Sequence, residues 1–208
     1  MSNKKIPGVV AARLSIYYRS LSESRKSDII SSEELSNLTG FTAAQIRRDL
    51  AYFGQFGIPG KGYYLQELKK KLIQILGIDR EWKVALIGVG NLGSALLAYR
   101  GFRERGFEVV AAFDIDSRKM GKVWKGIKIY DIRNLPEIVS REKIKMAIIT
   151  VPAEAAAQVI QKVVAAGIRA ILNFAPVRVR VPPEVKLLNI DMTIELERLS
   201  YLTTQSRS

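Results

Sequence analysis

The chain has 208 residues, with 33 Lys and Arg against 20 Asp and Glu, a net charge of +13, and neither cysteine nor histidine. This length allows one large domain or two small ones; the missing cysteines exclude disulfides, thiolate catalysis and cysteine zinc sites, and the missing histidines remove the commonest acid–base catalyst and metal ligand. The charge invites a polyanion such as nucleic acid, but residues 1–80 carry 13 basic against 7 acidic side chains and residues 81–208 carry 20 against 13, so it does not say which half touches one.

In chain order, the basic start Met1-Ser2-Asn3-Lys4-Lys5 leads into no long apolar run, and no stretch approaches the roughly 18 apolar residues of a membrane helix. A cytoplasmic protein without a metal or a membrane partner is expected. Residues 8–22 place Val10, Leu14, Tyr17, Tyr18 and Leu21 at helical spacing, with Arg13 and Arg19 off that stripe. Ser31 with Glu34 reads as a capping box opening a short helix that Gly40 ends, and Thr42 with Gln45 repeats the signature for a helix running to about Phe53. Two short capped helices around a tight turn predict a helix-turn-helix.

Ile46, Leu50 and Phe53 fall on the inner side of the second helix. Ala43, Ala44, Gln45, Arg47 and Arg48 fall at or near its outward N-terminal end, where small residues allow close approach and arginines can fork onto guanine edges or phosphates. By itself this helix would read better as part of a helical hairpin with a solvated arginine pair. The glycine-rich run from Gly54 to Tyr64 predicts a two-stranded wing with Lys61 at its tip and Tyr63 beside it, followed by an amphipathic helix from Leu65 to Leu76. Residues 1–78 are expected to form a winged-helix DNA-binding domain.

From Trp82 onward apolar strands alternate with helices, the pattern of a parallel sheet. Strands are expected at 83–87, 108–113, 126–130, 145–151, 169–173 and 185–190, with helices at about 91–105, 117–122, 131–141, 153–166 and from about 192. The first strand ends in Gly88-Val89-Gly90-Asn91-Leu92-Gly93. This strand–turn–helix order lets a pyrophosphate sit on backbone amides: Gly88 for the turn, Gly90 for phosphate approach, Gly93 for close helix packing. The second strand ends at Asp114, about the 20-residue spacing of an acid that binds a ribose diol. Such a carboxylate repels a ribose phosphate and favours NAD(H), although Arg118 and Lys119 lie close enough in sequence to weaken the preference. Further contacts are expected where later strands end, at Thr150, Val151 and Pro152 and at Asn173, Phe174 and Ala175. Residues 79–190 are therefore expected to form a Rossmann-type doubly wound domain. A last helix over 191–208, capped by Asp191 and striped with Met192, Leu196 and Leu199, can cover its own core or reach a partner subunit.

Together, Ile46-Arg47-Arg48-Asp49-Leu50-Ala51-Tyr52-Phe53-Gly54, the Gly60-Lys61-Gly62-Tyr63 tip, Gly88 to Gly93 with Tyr99, and Phe113-Asp114-Ile115-Asp116 resemble the Rex family of redox-sensing transcriptional repressors over nearly the whole chain. The resemblance implies a homodimer that binds a palindromic double-stranded operator when NADH is low relative to NAD⁺ and lets go when NADH rises. It also implies a terminal helix exchanged between subunits, and a coupling of cofactor state to DNA binding through positions matching Arg13, Tyr99 and Asp191. The family often has an aromatic residue where this chain has Met192, which leaves a nicotinamide contact there open. Two alternatives stand beside it. An NAD-dependent dehydrogenase with an N-terminal appendage needs a proton donor or acceptor, and the chain has no histidine, no cysteine and no Tyr-x-x-x-Lys pair. A CoA-responsive regulator must place a ribose phosphate against Asp114.

Overall fold

The computed structural model describes residues 8–24, 28–54 and 57–205, so both chain ends and the wing residues Gln55 and Phe56 lie outside the description. The chain divides into two compact units, residues 1–80 and 81–208.

In the first unit, α1 (Gly8–Glu23) packs its apolar stripe against α2 (Ser32–Thr39), α3 (Ala43–Ala51) and α4 (Leu65–Leu76). Val10, Leu14, Tyr17 and Leu21 of α1 are buried with Leu35, Ile46, Leu50, Leu68 and Leu72, each such side chain contributing about 1.5–3 kcal/mol of transfer free energy. The capping box of α2 is complete: the Glu34 amide donates to Ser31 Oγ at 3.1 Å, and the Ser31 amide donates to Glu34 Oε2 at 2.9 Å. Gly40 then ends the helix with φ +76°, a left-handed turn that glycine adopts without strain. At α3 only half of the expected box forms. Thr42 Oγ1 accepts from the Gln45 amide at 3.2 Å, but the Gln45 side chain turns inward to Asp49.

The wing differs from the expected pair of strands. Ile58 and Gly62 form a single antiparallel bridge around the Gly60-Lys61 tip, while β2 (Tyr63–Tyr64) pairs with β1 (Ile29–Ile30), a strand not anticipated. Gly62, at φ +120°, is why the chain can do this: a Cβ there would run into the carbonyl of Ile30. The α3 helix also stops at Ala51, short of Phe53.

The second unit is a seven-stranded sheet of β3 (Trp82–Ile87), β4 (Phe107–Asp114), β5 (Val123–Trp124), β6 (Ile127–Asp131), β7 (Met146–Ile149), β8 (Ala170–Asn173) and β9 (Lys186–Asn189), in spatial order β5-β6-β4-β3-β7-β8-β9. All neighbours are parallel except β5, which forms an antiparallel hairpin with β6 at the edge. Without β5 the order is that of a doubly wound nucleotide-binding sheet, and it reverses direction between β3 and β7. Side chains alternate along β3. Val84 and Leu86 face a core with Leu97 and Phe102, whereas Ala85 and Ile87 face a core built on α6 (Leu135–Glu142) and α7 (Ala153–Ala165).

Two expected helices are corrected. The helix after the glycine turn is α5 (Asn91–Leu97) alone, followed by a 3-10 turn over Arg103–Arg105. Tyr99 thus lies beyond the helix, where its ring covers Gly101 and meets Phe102 edge-on at 5.1 Å, a packing that requires the chain to leave the helical path. Residues 117–122 form turns and no helix. Asp116 Oδ1 accepts from the Arg118 amide at 3.0 Å and Gly121 takes φ +76°, so local polar bonding and a left-handed glycine win over helix propensity. The strand expected over 145–151 ends at Ile149. The last helix, α8 (Met192–Gln205), buries none of its residues.

Candidate functional site

The turn between β3 and α5 lies at the reversal of the sheet. Gly88 has φ +98°, and a Cβ there would come within 2.8 Å of the Thr150 carbonyl at the end of β7. A Cβ at Gly93 would collide with the carbonyl of Gly88. Both glycines are thus demanded by the protein's own packing. Gly90 is different: it caps α5 without a side-chain hydrogen bond, and a Cβ there meets no atom within 4 Å. Its open side is a cradle that a methyl group would fill. An open backbone face at the start of a helix is the property a bound phosphate needs.

Asp114 stands at the end of β4, the strand beside β3. Its Oδ2 accepts from the Val89 amide at 2.8 Å, so the Val89 amide is taken up in fixing the acid. Its Oδ1 accepts from the amides of Ile115 at 2.8 Å and Asp116 at 2.9 Å, and Lys119 Nζ reaches Oδ2 at 3.0 Å. Burial raises the pKa of this carboxyl, but the Asp116 amide, the Lys119 ammonium and the Val89 amide outweigh it and hold the group ionised below its ordinary range. Of the two cations noted in the sequence, only Lys119 touches Asp114. Arg118 is engaged by Asp116, whose carboxyl it holds down at about 2.

The later strand ends frame the same side of the sheet. Thr150 Oγ1 donates to the Gly88 carbonyl at 2.7 Å and lies 3.1 Å from that of Ile87, locking the turn to β7. Val151 is half-buried and Pro152 precedes the first turn of α7. Asn173 is completely buried: its Nδ2 donates to the carbonyls of Ala175 and Val177 and to Asn189 Oδ1, and its Oδ1 accepts from the Ala175 amide. Thr150 and Asn173 therefore spend their polar atoms shaping the loops. Phe174 is half-buried beside them and Ala175 buried.

In the first unit, Ala44, Arg47 and Arg48 of α3 and Lys61 of the wing are exposed, while Ala43, Gln45 and Tyr63 are half-buried. A groove of about 540 Å³ runs between α3 and the wing, lined by Ser32, Glu33, Arg47, Lys61 and Tyr63 among others. Arg47 points across it and donates to Ser32 Oγ at 2.6 Å and Glu33 Oε1 at 3.0 Å. Gln45 is removed from the outer face by its bond to Asp49 Oδ1 at 2.8 Å.

The residue that the sequence reading missed is Asp49. Its carboxylate, 1% exposed, accepts from Arg13 Nε and Nη2, from the Tyr17 hydroxyl at 2.8 Å and from Gln45. Burial pushes its pKa up, yet the bonds from Arg13, Tyr17 and Gln45 prevail and lower it. Arg13 thus does not lie free of the buried stripe; it anchors α1 to α3. An acid three positions after Ile46, on the inner side of α3, was the available signal, because a buried charge demands a partner. Asp191, for its part, caps α8 by accepting from the Thr193 amide at 2.9 Å, and Tyr99 is exposed.

Comparison with known proteins brings these two units under one heading. Residues 5–51 match a family model described as a putative DNA-binding protein N-terminus, and residues 79–177 one described as a CoA binding domain. The chain is 43% identical over 203 residues to the redox-sensing transcriptional repressor Rex of Desulfitobacterium hafniense, covering 97% of both chains, and 44% identical over 204 residues to that of Syntrophobacter fumaroxidans. Among solved structures it resembles RSP in complex with β-NAD⁺ and operator DNA, with TM-score 0.91, 36% identity and coverage of 99% of this chain and 95% of the other. It resembles RSP in complex with β-NADH with TM-score 0.87, 35% identity and coverage of 99% and 97%. On identity and coverage of this order, the chain belongs to the Rex family of redox-sensing transcriptional repressors.

Proposed function

We propose that this protein is a homodimeric repressor that holds a palindromic operator while NADH is scarce and releases it when NADH accumulates. The observation that carries the reading is the pairing, in one chain, of a winged helix-turn-helix with a dinucleotide turn whose Gly90 side is open. Relatives in complex with NAD⁺ and operator DNA, and with NADH, match this chain along almost its full length. Gly90, Asn91 and Leu92 receive the pyrophosphate, Asp114 the adenosine ribose, and the loops at Val151, Pro152, Phe174 and Ala175 flank the nicotinamide. Ala44, Arg47, Arg48 and Lys61 meet DNA.

The same geometry argues for regulation over catalysis. Hydride exchange with a carbonyl needs a proton donor or acceptor beside the nicotinamide, and the side-chain polar atoms of Thr150 and Asn173 are bonded within the protein. The match to a CoA binding domain favours a CoA-responsive regulator as a second reading; the ionised Asp114, facing a ribose phosphate, argues against it.

Dimerisation is supported by α8. Ile194, Leu196, Leu199, Tyr201 and Leu202 are all exposed, an apolar surface that a second copy would cover. A switch through Arg13, Tyr99 and Asp191, which the family resemblance suggests, has a cost here: Arg13 must share or leave its pair with Asp49. Among the described residues no helix is long and apolar enough to cross a membrane; a role on DNA supports a cytoplasmic location. The reading is tested by fluorescence anisotropy of an operator duplex, selected by the protein from a random pool, titrated with NADH and NAD⁺ separately. Release by NADH at concentrations where NAD⁺ leaves the complex intact supports it; indifference to both overturns it.

A further inference from the structure

The Asp114 carboxylate is saturated. An ionised carboxylate offers about four lone-pair sites, and here four donors fill them: the amides of Val89, Ile115 and Asp116, and Lys119 Nζ. The group is 9% exposed, which leaves little open surface for a fifth. A ribose diol that binds Asp114 must therefore displace a donor. Three of the four are main-chain amides of the glycine turn and of the loop after β4. Only Lys119 sits on a flexible stem, with its side chain 35% exposed, and only it can be exchanged without moving backbone.

Resting on the nucleotide-binding reading above, we infer that Lys119 sets how strongly this site discriminates between a plain ribose and a 2′-phosphorylated one. Before nucleotide arrives, its ammonium holds on Asp114 the position a diol takes. Once displaced, it is tethered five residues from Asp114 and lies within contact of the ribose 2′ position, because it left a 3.0 Å contact with the carboxylate that position addresses. Asp114 alone repels a 2′-phosphate, while a cation at the same distance offsets much of that repulsion. Arg118 cannot substitute, since both oxygens of Asp116 hold its guanidinium. The site is consequently more tolerant of NADP(H) than an unaccompanied aspartate makes it.

The test is isothermal calorimetry of the full-length protein with NADH and with NADPH, on the parent, Lys119→Ala and Lys119→Arg. The inference predicts that Lys119→Ala raises the ratio of the NADPH to the NADH dissociation constant about tenfold, the size of one partly screened charge contact. NADH should bind that variant at least as tightly as the parent, and Lys119→Arg should keep the parental ratio. An unchanged ratio in Lys119→Ala with NADH binding intact overturns the inference, as does an equal loss of both nucleotides. If the parent itself fails to bind NADH, the nucleotide-binding reading falls, and this inference with it.

Discussion

Arg13 on α1 and Asp49 on α3 form a bidentate ion pair, Nε to Oδ2 at 2.6 Å and Nη2 to Oδ1 at 2.7 Å, that ties the first helix of the N-terminal unit to the helix carrying Arg47 and Arg48. The Tyr17 hydroxyl, one turn along α1, donates to the same carboxylate. Breaking such a pair leaves a cation without its partner at a largely closed position. Asp49→Ala is expected to destabilise the N-terminal unit by about 2–4 kcal/mol, read as a lower urea midpoint, and to weaken operator binding while the variant still binds NADH. An unchanged midpoint would show that the pair contributes nothing net.

The same cluster sets a pH window. Asp49 has a folded pKa below its ordinary value of 3.8, so its contribution is fully present above that value and is lost as pH falls through the lowered one. Tyr17 is shifted the other way: burial, then its bond to Asp49, raises its pKa above 10.0, so its contribution is present below pH 10 and is lost as pH rises through the raised value. Stability of the parent measured by denaturant melts should be flat between these limits for this cluster and fall outside them. In Asp49→Ala the acid limb should be shallower. An equally steep acid limb in the variant would assign the fall to other carboxylates.

Gly90 and Gly93 make a paired test of the dinucleotide turn. Gly90→Ala places a methyl in open space and should keep the parental melting temperature while abolishing NADH binding by calorimetry. Gly93→Ala drives a methyl into the Gly88 carbonyl and should cost at least about 1–3 kcal/mol of stability. NADH binding by Gly90→Ala at parental strength would remove the phosphate from this turn.

Much of this was legible in the sequence because the signals were long or chemically narrow. The period of α1 and the caps on either side of Gly40 mark their helices by spacing, and Asp114 about 20 residues on narrows the reading of the glycine turn. What escaped was short or depended on tertiary partners. The Ile29–Ile30 strand is too brief for any periodicity and exists because Gly62 lets Tyr63–Tyr64 pair with it. The helix expected over 91–105 has good local propensity; it ends at Leu97 because Tyr99 packs over Gly101 and against Phe102. At the candidate site, the sequence named residues that the fold gathers at the strand ends, but it could not say which of their polar atoms remain available. Asn173 and Gln45 are taken up by their own neighbours, and Lys119 reaches Asp114 while Arg118 does not.

On the DNA face, Arg47 and Arg48 start from different situations. Arg47 must trade Ser32 and Glu33 for DNA, whereas the Arg48 side chain is exposed and makes no hydrogen bond or ion pair among the described residues. The double variant Arg47→Ala/Arg48→Ala should lose at least about tenfold in operator affinity and flatten its salt dependence, since base-reading arginines contribute about 1–3 kcal/mol and phosphate contacts the salt slope. NADH affinity should stay parental. Retained operator affinity in gel shifts would take α3 out of the reading role.

In the proposed switch NADH and operator bind opposing states of one molecule, and linkage makes their antagonism directly measurable. If NADH weakens operator binding by some factor, operator must weaken NADH binding by the same factor. The NADH dissociation constant should be determined with and without saturating operator duplex, alongside the operator dissociation constant with and without saturating NADH. Antagonism between the two ligands requires two equal ratios, each about 5-fold or more. NADH affinity indifferent to bound operator would contradict it.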